Sequence, residues 1–264
     1  VAEGGAYDGK IVERNAAGEE VRPLDISITK NVLGLFINSA VLLVIMMSCV
    51  RWYKKHPLED GAPKGGVGMI EATVLSIYND VIKGCIGENY RRYAPYLLTA
   101  FFFVLVNNLM GLIPIFPGGA NVTGNIAITL VLALCTFVLT NVYGTKAYWK
   151  EIFWPDVPTW LKAPIPMMPL IEFFGIFTKP FALMIRLFAN IMAGHAAVLS
   201  LVAIIFITVK SGPVINGSMT VVSVAFSIFM NALEILVAFI QAYVFTMLSA
   251  VFIGLSQVKE HAEK

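Results

Sequence analysis

An all-α integral membrane protein is the fold class that this sequence predicts, because of its composition and of two very long apolar runs. Of its 264 residues, 58% are hydrophobic and only 14% are charged, whereas soluble domains contain about 45–50% apolar and about 25% charged residues. The runs 170–209 and 219–258 are almost continuously apolar. As a helix, each would be about 60 Å long, twice the thickness of a hydrocarbon core. We therefore expect both helices to be strongly tilted in the membrane.

The helices form one predicted membrane domain, residues 31–264, which follows a polar extracytoplasmic segment, residues 1–30. The predicted ranges are 31–50, 95–113 and 125–147 for three shorter membrane-inserted helices, 69–92 for an amphipathic surface helix, and 169–209 and 218–258 for the two tilted helices. The first helix ends at Arg51 and Lys54, a basic anchor that is typical of a membrane boundary. The predicted fold therefore has five membrane-inserted helices.

The segment after the Gly- and Pro-containing linker 61–68 has the pattern of an amphipathic helix. Its apolar stripe at helical spacing consists of Ile70, Val74, Ile77, Val81 and Cys85. The polar residues that lie mostly off this stripe are Glu71, Asn79, Asp80 and Lys83. This pattern indicates a helix that lies on the membrane surface rather than one that crosses the bilayer.

The two long apolar runs are joined by a turn predicted at KSGPVINGS, residues 210–218. Neither run contains a clear turn that would fold it into two vertical spans. A break at Pro180 or at Gly194 is the alternative to one long tilted helix, because prolines are tolerated in membrane helices.

The distribution of Lys and Arg predicts the orientation, because cytoplasmic loops are enriched in both. With five crossings and an outer N-terminus, the inner side holds seven basic residues in 51–95, three in 146–162 and two after Val258. The outer side holds four in 1–30 together with Lys210. We therefore expect the N-terminus outside and the C-terminus in the cytoplasm.

Arg186 lies deep inside the first long apolar run and is the clearest functional candidate. An arginine at mid-membrane costs at least about 2.5–3.5 kcal/mol on insertion scales, and its guanidinium stays protonated at physiological pH. A structural arginine that caps carbonyls or pairs with a carboxylate is the alternative. We expect a functional one, because ionisable residues inside membranes are functional by default.

A polar stripe surrounds this arginine on its predicted helix. Its members, which fall within about 40° of one another at about 100° per residue, are Glu172, Lys179, Arg186 and Asn190. His195 follows Arg186 by nine residues and is therefore expected on the opposite face. The arrangement indicates two separate hydrated routes, although a lone histidine on an apolar helix is more often a satisfied core residue.

A second polar stripe, on the last helix, contains the carboxylate of Glu234. The members of this stripe are Ser223, Ser227, Glu234 and Gln241. A carboxylate in mid-membrane must pair, hydrate or take up a proton, and His195 of the neighbouring tilted helix is its predicted partner. We interpret the two serines as interhelical hydrogen-bonding groups and Glu234 as part of a proton route.

The segment GIFTKPFALMIRLFANIMAGH, residues 175–195, resembles the signature of the a subunit of F-type ATP synthases, which is close to KPxSLxxRLFGNxxAGE. The matching residues are Lys179, Pro180, Arg186, Leu187, Phe188, Asn190, Ala193 and Gly194. Further similar pieces are NNLMGLIP (107–114), NVTGNIAITLVLAL (121–134) and LEILVAFIQAYVFTMLSAVFI (233–253). The resemblance therefore covers most of residues 30–258 and is most specific around Arg186.

This resemblance implies a proton-translocating stator subunit in which Arg186 faces a rotating ring of c subunits, each bearing one essential carboxylate. Two offset aqueous half-channels would pass protons to and from these carboxylates, with Arg186 between them. Asn190 would lie beside the arginine, and Gln241 would lie near it from the last helix. The other positions carried over are Glu172 and Lys179 on the inner route, and Asn108, His195 and Glu234 on the outer route.

The partners implied by the resemblance are the c-subunit ring, b-type subunits of a peripheral stalk and membrane lipid, with no nucleic acid. No metal or other cofactor is implied, and the chain itself carries no catalytic chemistry. The expected location is a bacterial inner (plasma) membrane, with an organellar inner membrane as the alternative. Proton or sodium specificity and the direction of operation stay open, because the ion-binding carboxylates belong to another chain.

Two positions depart from the typical family pattern. Many bacterial members have Glu at the position of His195 and His at the position of Glu234, so the pair is kept here with its ends exchanged, which is similar to mitochondrial members. Many relatives have Asp at the position of Gly111, which changes the expected lining of the outer route. The exchange itself favours direct interaction between His195 and Glu234.

Other classes of membrane protein lack support in the sequence. A stand-alone channel or secondary transporter would be favoured by inverted repeats, and no convincing internal repeat is present. An intramembrane enzyme would need motifs such as HExxH or GxSxG, which are absent, and Arg186 with Glu234 argues against a purely structural anchor. The cysteines Cys49, Cys85 and Cys135 show no CxxC spacing and are interpreted as small buried hydrophobes.

Overall fold

The structure is a computed structural model, and the chain segments that it describes begin near the N-terminus and reach residue 257. They are residues 13–14, 20–21, 29–56, 63, 65–113, 122–153 and 167–257. Strands within these segments are confined to one antiparallel pair, β1 (Glu13–Arg14) and β2 (Glu20–Val21). The remaining elements are helices, and the predicted all-α membrane fold is confirmed.

The first helix, α1, spans Lys30–Lys55, and both of its ends follow from local chemistry. The side chain of Thr29 accepts a hydrogen bond from the Val32 backbone N–H and caps the start of the helix. Lys54 and Lys55 occupy its last turn, where cations interact favourably with the exposed carbonyls. The helix is long and apolar enough to cross a membrane and is longer than the predicted range 31–50.

Residues 66–112 form one helical run with an interruption at Gly87. The run contains α2 (Gly66–Ser76), a π-helical segment (Ile77–Lys83), α3 (Gly84–Ile86), a 3₁₀ turn (Gly87–Asn89) and α4 (Tyr90–Leu112). Gly87 has φ 74°, a conformation that residues with a Cβ rarely adopt. The predicted helix 69–92 therefore ends at this glycine, and the predicted helix 95–113 begins earlier, at Tyr90.

The apolar stripe predicted on the surface helix faces the protein core. Ile77 and Val81 are buried, and Ile70, Val74 and Cys85 are partly buried and pack against the same core. The polar residues Asn79, Asp80 and Lys83 are exposed. The predicted amphipathic pattern is thus present, and its apolar side is covered by α4 and by the last helix. The position of this helix on the membrane surface stays a prediction.

The predicted helix 125–147 is wrong in its second part, because the chain turns sharply after Val142. Helix α5 spans Ile126–Val142 and a separate helix, α6, spans Lys146–Phe153, with a bend of 98° between them. Gly144 lies in this corner, and a Cβ on it would be 2.9 Å from Tyr148 Cδ1 and 3.1 Å from the Thr140 carbonyl oxygen. The close approach of α6 to α5 therefore depends on a residue without a side chain.

The two long helices are continuous within the described residues. Helix α7 spans Met167–Thr208 with Pro180 inside it, and α8 spans Pro213–Ser256. The alternative of a break at Pro180 or Gly194 is therefore wrong. The turn predicted at 210–218 is shorter than expected: a 3₁₀ turn, Val209–Ser211, leads through Gly212 directly into α8. Each helix is about 60 Å long, so the predicted tilt follows from a hydrocarbon core of about 30 Å.

The core lies where the 66–112 run, α7 and α8 meet. Side chains in it with no exposed surface are Ile82, Leu97, Phe101, Val104, Leu187, Phe245 and Ile253. Helix α1 packs on the outside of this core against α4. Four helices or helical runs of the described chain are long and apolar enough to cross a membrane, and the bent pair α5–α6 makes five. The predicted number of membrane-inserted helices is therefore confirmed.

Candidate functional site

A polar cavity between α4, α7 and α8 brings together most of the predicted site residues. Its empty space is about 340 Å³, including the part that is open to the surface. The polar side chains that line it are Asn108 from α4, Asn190 and His195 from α7, and Glu234 and Gln241 from α8. Five predicted residues from three helices thus converge on one cavity in a largely apolar protein.

Glu234 is the carboxylate of this cavity. It is half-buried, and its Oε1 atom is fully covered without a hydrogen-bond partner in the described chain. His195 lines the same cavity and is close enough for electrostatic interaction with it. A buried carboxylate oxygen without a donor is costly, so this atom needs water, a proton or the imidazole to satisfy it. His195 and Glu234 thus line the same cavity, and their direct pairing stays a prediction.

Gly194 makes room for the Glu234 carboxylate on the surface of α7. A Cβ at this position would overlap Glu234 Oε1, and it would lie 3.1 Å from Cδ and 3.2 Å from Cγ. The glycine of the sequence motif AGH therefore has a physical explanation. The Glu234 carboxylate of the neighbouring helix occupies the space that a side chain at this position would fill.

Two amide contacts hold the walls of this cavity together. The Asn190 amide nitrogen donates to Gln241 Oε1 at 3.3 Å, which joins α7 to α8. The Asn108 amide nitrogen donates to the Ala238 carbonyl oxygen at 3.3 Å, which joins α4 to α8. Asn108 Oδ1 is buried without a partner in the described residues. Polar groups that are not fully satisfied therefore face the cavity from two of its walls.

Arg186 lies one helical turn before Asn190, and its side chain is exposed on the outside of α7. Its neighbours one turn away on the same face, Ala182 and Ala189, are exposed small apolar residues. A guanidinium facing lipid is costly unless a polar or acidic group accompanies it.

A second cavity lies at the corner made by α5 and α6, next to α7 and α8. Its empty space is about 270 Å³, again including the part that is open to the surface. The polar residues in its wall are Thr136, Thr140, Asn141, Tyr148 and Lys179. The Tyr148 hydroxyl donates to Asn141 Oδ1 at 3.4 Å, and Glu172 is within electrostatic range of Tyr148. Lys179 Nζ also lies 6.0 Å from the ring centroid of Phe252.

The sequence profile of the ATP synthase A chain family matches residues 33–254. The chain is also 47% identical to the ATP synthase subunit a of Chlorobium phaeobacteroides, over 97% of this chain and 75% of that protein. It is 45% identical to the subunit a of Chloroherpeton thalassium, over 91% of this chain and 70% of the relative.

This chain belongs to the ATP synthase A chain family. The prediction of an a subunit of the F-type ATP synthase membrane sector is thereby confirmed. The apolar helices and the bacterial relatives make it an integral membrane protein of a bacterial membrane, as predicted. A more distant relative is the subunit a of Myxococcus xanthus, 39% identical over 90% of this chain and 75% of that protein.

The positions of the predicted site residues in this family member differ from a simple helical projection in one respect. His195 was expected on the opposite face from Arg186 and Asn190, yet Asn190 and His195 line the same cavity. The cavity is bounded by α4 and α8 as well as by α7, so residues from different faces of α7 line it. Arg186 itself lines neither of the two cavities, and Lys179 lies in the second.

The residues of the second cavity from α5 and α6 were missed by the sequence interpretation. Thr136, Thr140 and Asn141 lie on a strongly apolar helix and looked like ordinary helix-packing groups. Tyr148 lies just beyond the predicted helix 125–147, and its position depends on the bend near Gly144. The signal that was available is the spacing of Thr136 and Thr140, which puts two hydroxyls on one face of α5.

Proposed function

We propose that this a subunit moves protons between the two sides of the membrane through two half-channels that do not connect within the chain. The first cavity, with Asn108, His195 and Glu234, belongs to the outer half-channel. The second cavity, with Lys179 and the nearby Glu172, belongs to the inner one. The observation that carries the proposal is one cavity lined by polar groups from α4, α7 and α8. Asn190 in its wall lies one helical turn after Arg186, which is exposed.

The partner proposed at Arg186 is a ring of c subunits that carry one carboxylate each. An exposed guanidinium beside small apolar side chains, Ala182 and Ala189, fits a partner surface that is itself apolar and bears an acid at the same depth. A proton from the outer half-channel neutralises this acid, which then turns into the lipid without the cost of an exposed charge. The protonated acid reaches the inner half-channel and releases its proton there.

Arg186 has two effects in this proposal. Its positive charge favours the ionised form of an approaching carboxyl group and so promotes proton release. The same charge repels protons, so that the two half-channels do not leak into one another. Asn190 and Gln241, joined by their hydrogen bond, form part of the wall of the first cavity and hold α7 and α8 in register.

The driving energy limits how tightly Arg186 and the rotor acid bind to each other. A membrane potential supplies about 2.3 kcal/mol per charge per 100 mV. A dry, rigid ion pair that is much stronger than this would stall rotation, so the contact must be hydrated or short-lived. The exposure of this arginine on the outside of α7, rather than in the packed core, supports such a contact.

The proposed assembly also includes b-type subunits of a peripheral stalk, which keep the chain stationary against the ring. The proposed orientation in the bacterial inner membrane has the N-terminus outside and the C-terminus in the cytoplasm, as the Lys and Arg distribution favours. In this orientation the joint between α7 and α8 faces outward, and the α5–α6 corner faces the cytoplasm.

The test is Arg186→Ala in the complete complex, reconstituted in vesicles with an imposed proton gradient. ATP synthesis is expected to fall to background while the complex assembles in normal amount, because no fixed cation remains between the half-channels. Arg51→Ala, which removes an exposed arginine at the end of α1, is the matched control and should synthesise ATP normally. Near-normal synthesis by Arg186→Ala would contradict the proposal.

A further inference from the structure

Asn38 is an unusual residue in the outermost helix of the protein. Helix α1 packs against the rest of the chain through α4, and most of its side chains are exposed. Asn38, in contrast, is only 1% exposed. An amide inside a membrane is stable only when its polar atoms find partners. The side chain therefore has a specific reason to face the protein.

The partner of Asn38 is Asn107 on α4. The Asn38 amide nitrogen donates to Asn107 Oδ1 at 2.9 Å, and the Asn107 amide nitrogen donates to the Phe103 carbonyl oxygen of its own helix at 2.8 Å. Asn107 is also 1% exposed. Both polar atoms of the Asn107 side chain are therefore hydrogen-bonded, and the donor to its oxygen lies on α1. Asn38 Oδ1 is buried without a partner in the described residues. The hydrogen bond to Asn107 is therefore the interaction that stabilises the buried Asn38 side chain.

The residue next to this pair lines the first cavity. Asn108 follows Asn107 directly, and its amide nitrogen reaches the Ala238 carbonyl oxygen on α8. Consecutive helical residues point about 100° apart, so the two amides connect α4 to different neighbours. One bond runs to α1 and the other to α8, and together they fix the rotation of α4. Any rotation of α4 about its axis moves Asn108 relative to Glu234.

We propose that Asn38 is a positioning residue for the outer half-channel, acting through Asn107 on Asn108. This inference rests on the proposed function, because it assumes that Asn108 lies on the proton route. Loss of the Asn38 donor leaves Asn107 Oδ1 buried and unpaired, and α4 turns or takes in water to satisfy it. Asn108 then loses its alignment with Ala238 and with the cavity, although Asn38 itself contacts neither the cavity nor a proton.

The first experiment compares Asn38→Leu with the unchanged complex in reconstituted vesicles, measuring the initial rate of gradient-driven proton flux across a range of outside pH. Leucine is close to asparagine in size and cannot donate a hydrogen bond. The flux should fall at least about threefold, the change that corresponds to an average interhelical hydrogen bond in a membrane. The dependence of flux on outside pH should also change, whereas a loss of packing alone would lower the flux equally at every pH.

The matched control on α1 is Ser48→Ala. Ser48 is exposed, and its hydroxyl donates to the Val44 carbonyl oxygen of its own helix, so its removal should leave the flux unchanged. If Asn38→Leu reduces the amount of assembled complex, Asn38→Ala removes the same donor without adding an apolar side chain. The flux per assembled complex then gives the result, and an unaltered flux and pH profile in both variants would overturn the inference.

A double-mutant comparison with Asn108→Ala decides how Asn38 acts. If Asn38 acts through Asn108, Asn38→Leu should reduce the flux little further once Asn108→Ala is present. A further threefold loss in that background would overturn the inference, as would an unchanged flux in Asn108→Ala alone. Either outcome would overturn only the role of Asn38 if Arg186→Ala still abolishes ATP synthesis. Normal synthesis by Arg186→Ala would contradict the proposed function itself.

Discussion

The two polar cavities of this protein differ in chemistry and in the way they are built. The first contains a carboxylate and an imidazole, Glu234 and His195, between the long helices α7 and α8 and the end of α4. The second contains an ammonium and hydroxyl groups, with Lys179 and Tyr148 at the sharp corner between two shorter helices. Asp, Glu and His side chains form the proton relays of membrane proteins. In the proposed function, the first cavity therefore holds a proton and the second provides a polar exit.

This difference predicts that removing the titratable group of the first cavity has a large effect. Glu234→Gln keeps the shape of the side chain and its place against Gly194, but the amide cannot take up and release a proton. Positioned proton-transfer groups contribute about 10²–10⁴-fold to rates, so we expect gradient-driven proton flux to fall about 100-fold. The dependence of flux on outside pH should also change. Normal flux with an unchanged pH profile would exclude Glu234 from the route.

The matched change in the second cavity is Lys179→Met, which removes a charge from a side chain of similar length. We expect a much smaller loss of flux than for Glu234→Gln, because Lys179 provides polarity there and does not relay the proton. Flux should be measured in the same vesicles and normalised to the amount of complex. An equal loss in the two variants would remove the functional distinction between the cavities.

A smaller effect is expected from Gly194→Ala, which tests the geometry of the first cavity without removing a charge. The added methyl group would displace the Glu234 carboxylate, and small-to-large changes at packed sites cost about 1–3 kcal/mol. Because a carboxylate at the end of a side chain can move aside, the complex should assemble and the flux should drop several-fold.

Gly217→Ala is the control for this prediction, since it adds the same methyl group to α8 at a position with nothing within 4 Å. It should leave flux and assembly unchanged. Equal flux in Gly194→Ala and Gly217→Ala would show that the position of the Glu234 carboxylate against α7 does not matter for transport.

Much of the first cavity was predictable because its residues stand out against an apolar background. Arg186 and Glu234 are charged residues within long apolar runs, and their cost in a membrane marks them without any structure. The family resemblance added Asn108, whose amide would otherwise look like an ordinary helix-packing group, and the expected place of Gln241 near the arginine. The shared cavity of Asn190 and His195 was not predictable from helical angles, because it depends on how α4 and α8 pack against α7.

The second cavity was not predictable because it depends on a bend that leaves no trace in hydrophobic periodicity. The run from Ile126 onward is apolar up to the corner, and a single straight helix was the natural interpretation. The corner is held by tertiary contacts with the end of α8, where the Thr145 backbone N–H donates to the Ser256 carbonyl oxygen and the Gln257 amide nitrogen donates to the Tyr143 carbonyl oxygen. For the same reason the Asn38–Asn107 bond joins residues far apart in the chain, and no local pattern connects them.

The most direct test of the account is the position of the Arg186 guanidinium in a density map of the complete complex within its membrane. We predict that it lies near the middle of the bilayer, faces the rotor ring, and separates the water-filled cavity at Glu234 from the one at Lys179. The nearest rotor carboxylate should be within reach of a direct or water-mediated contact. A guanidinium located among the lipid headgroups, or turned away from the acidic residues of the ring, would contradict the account.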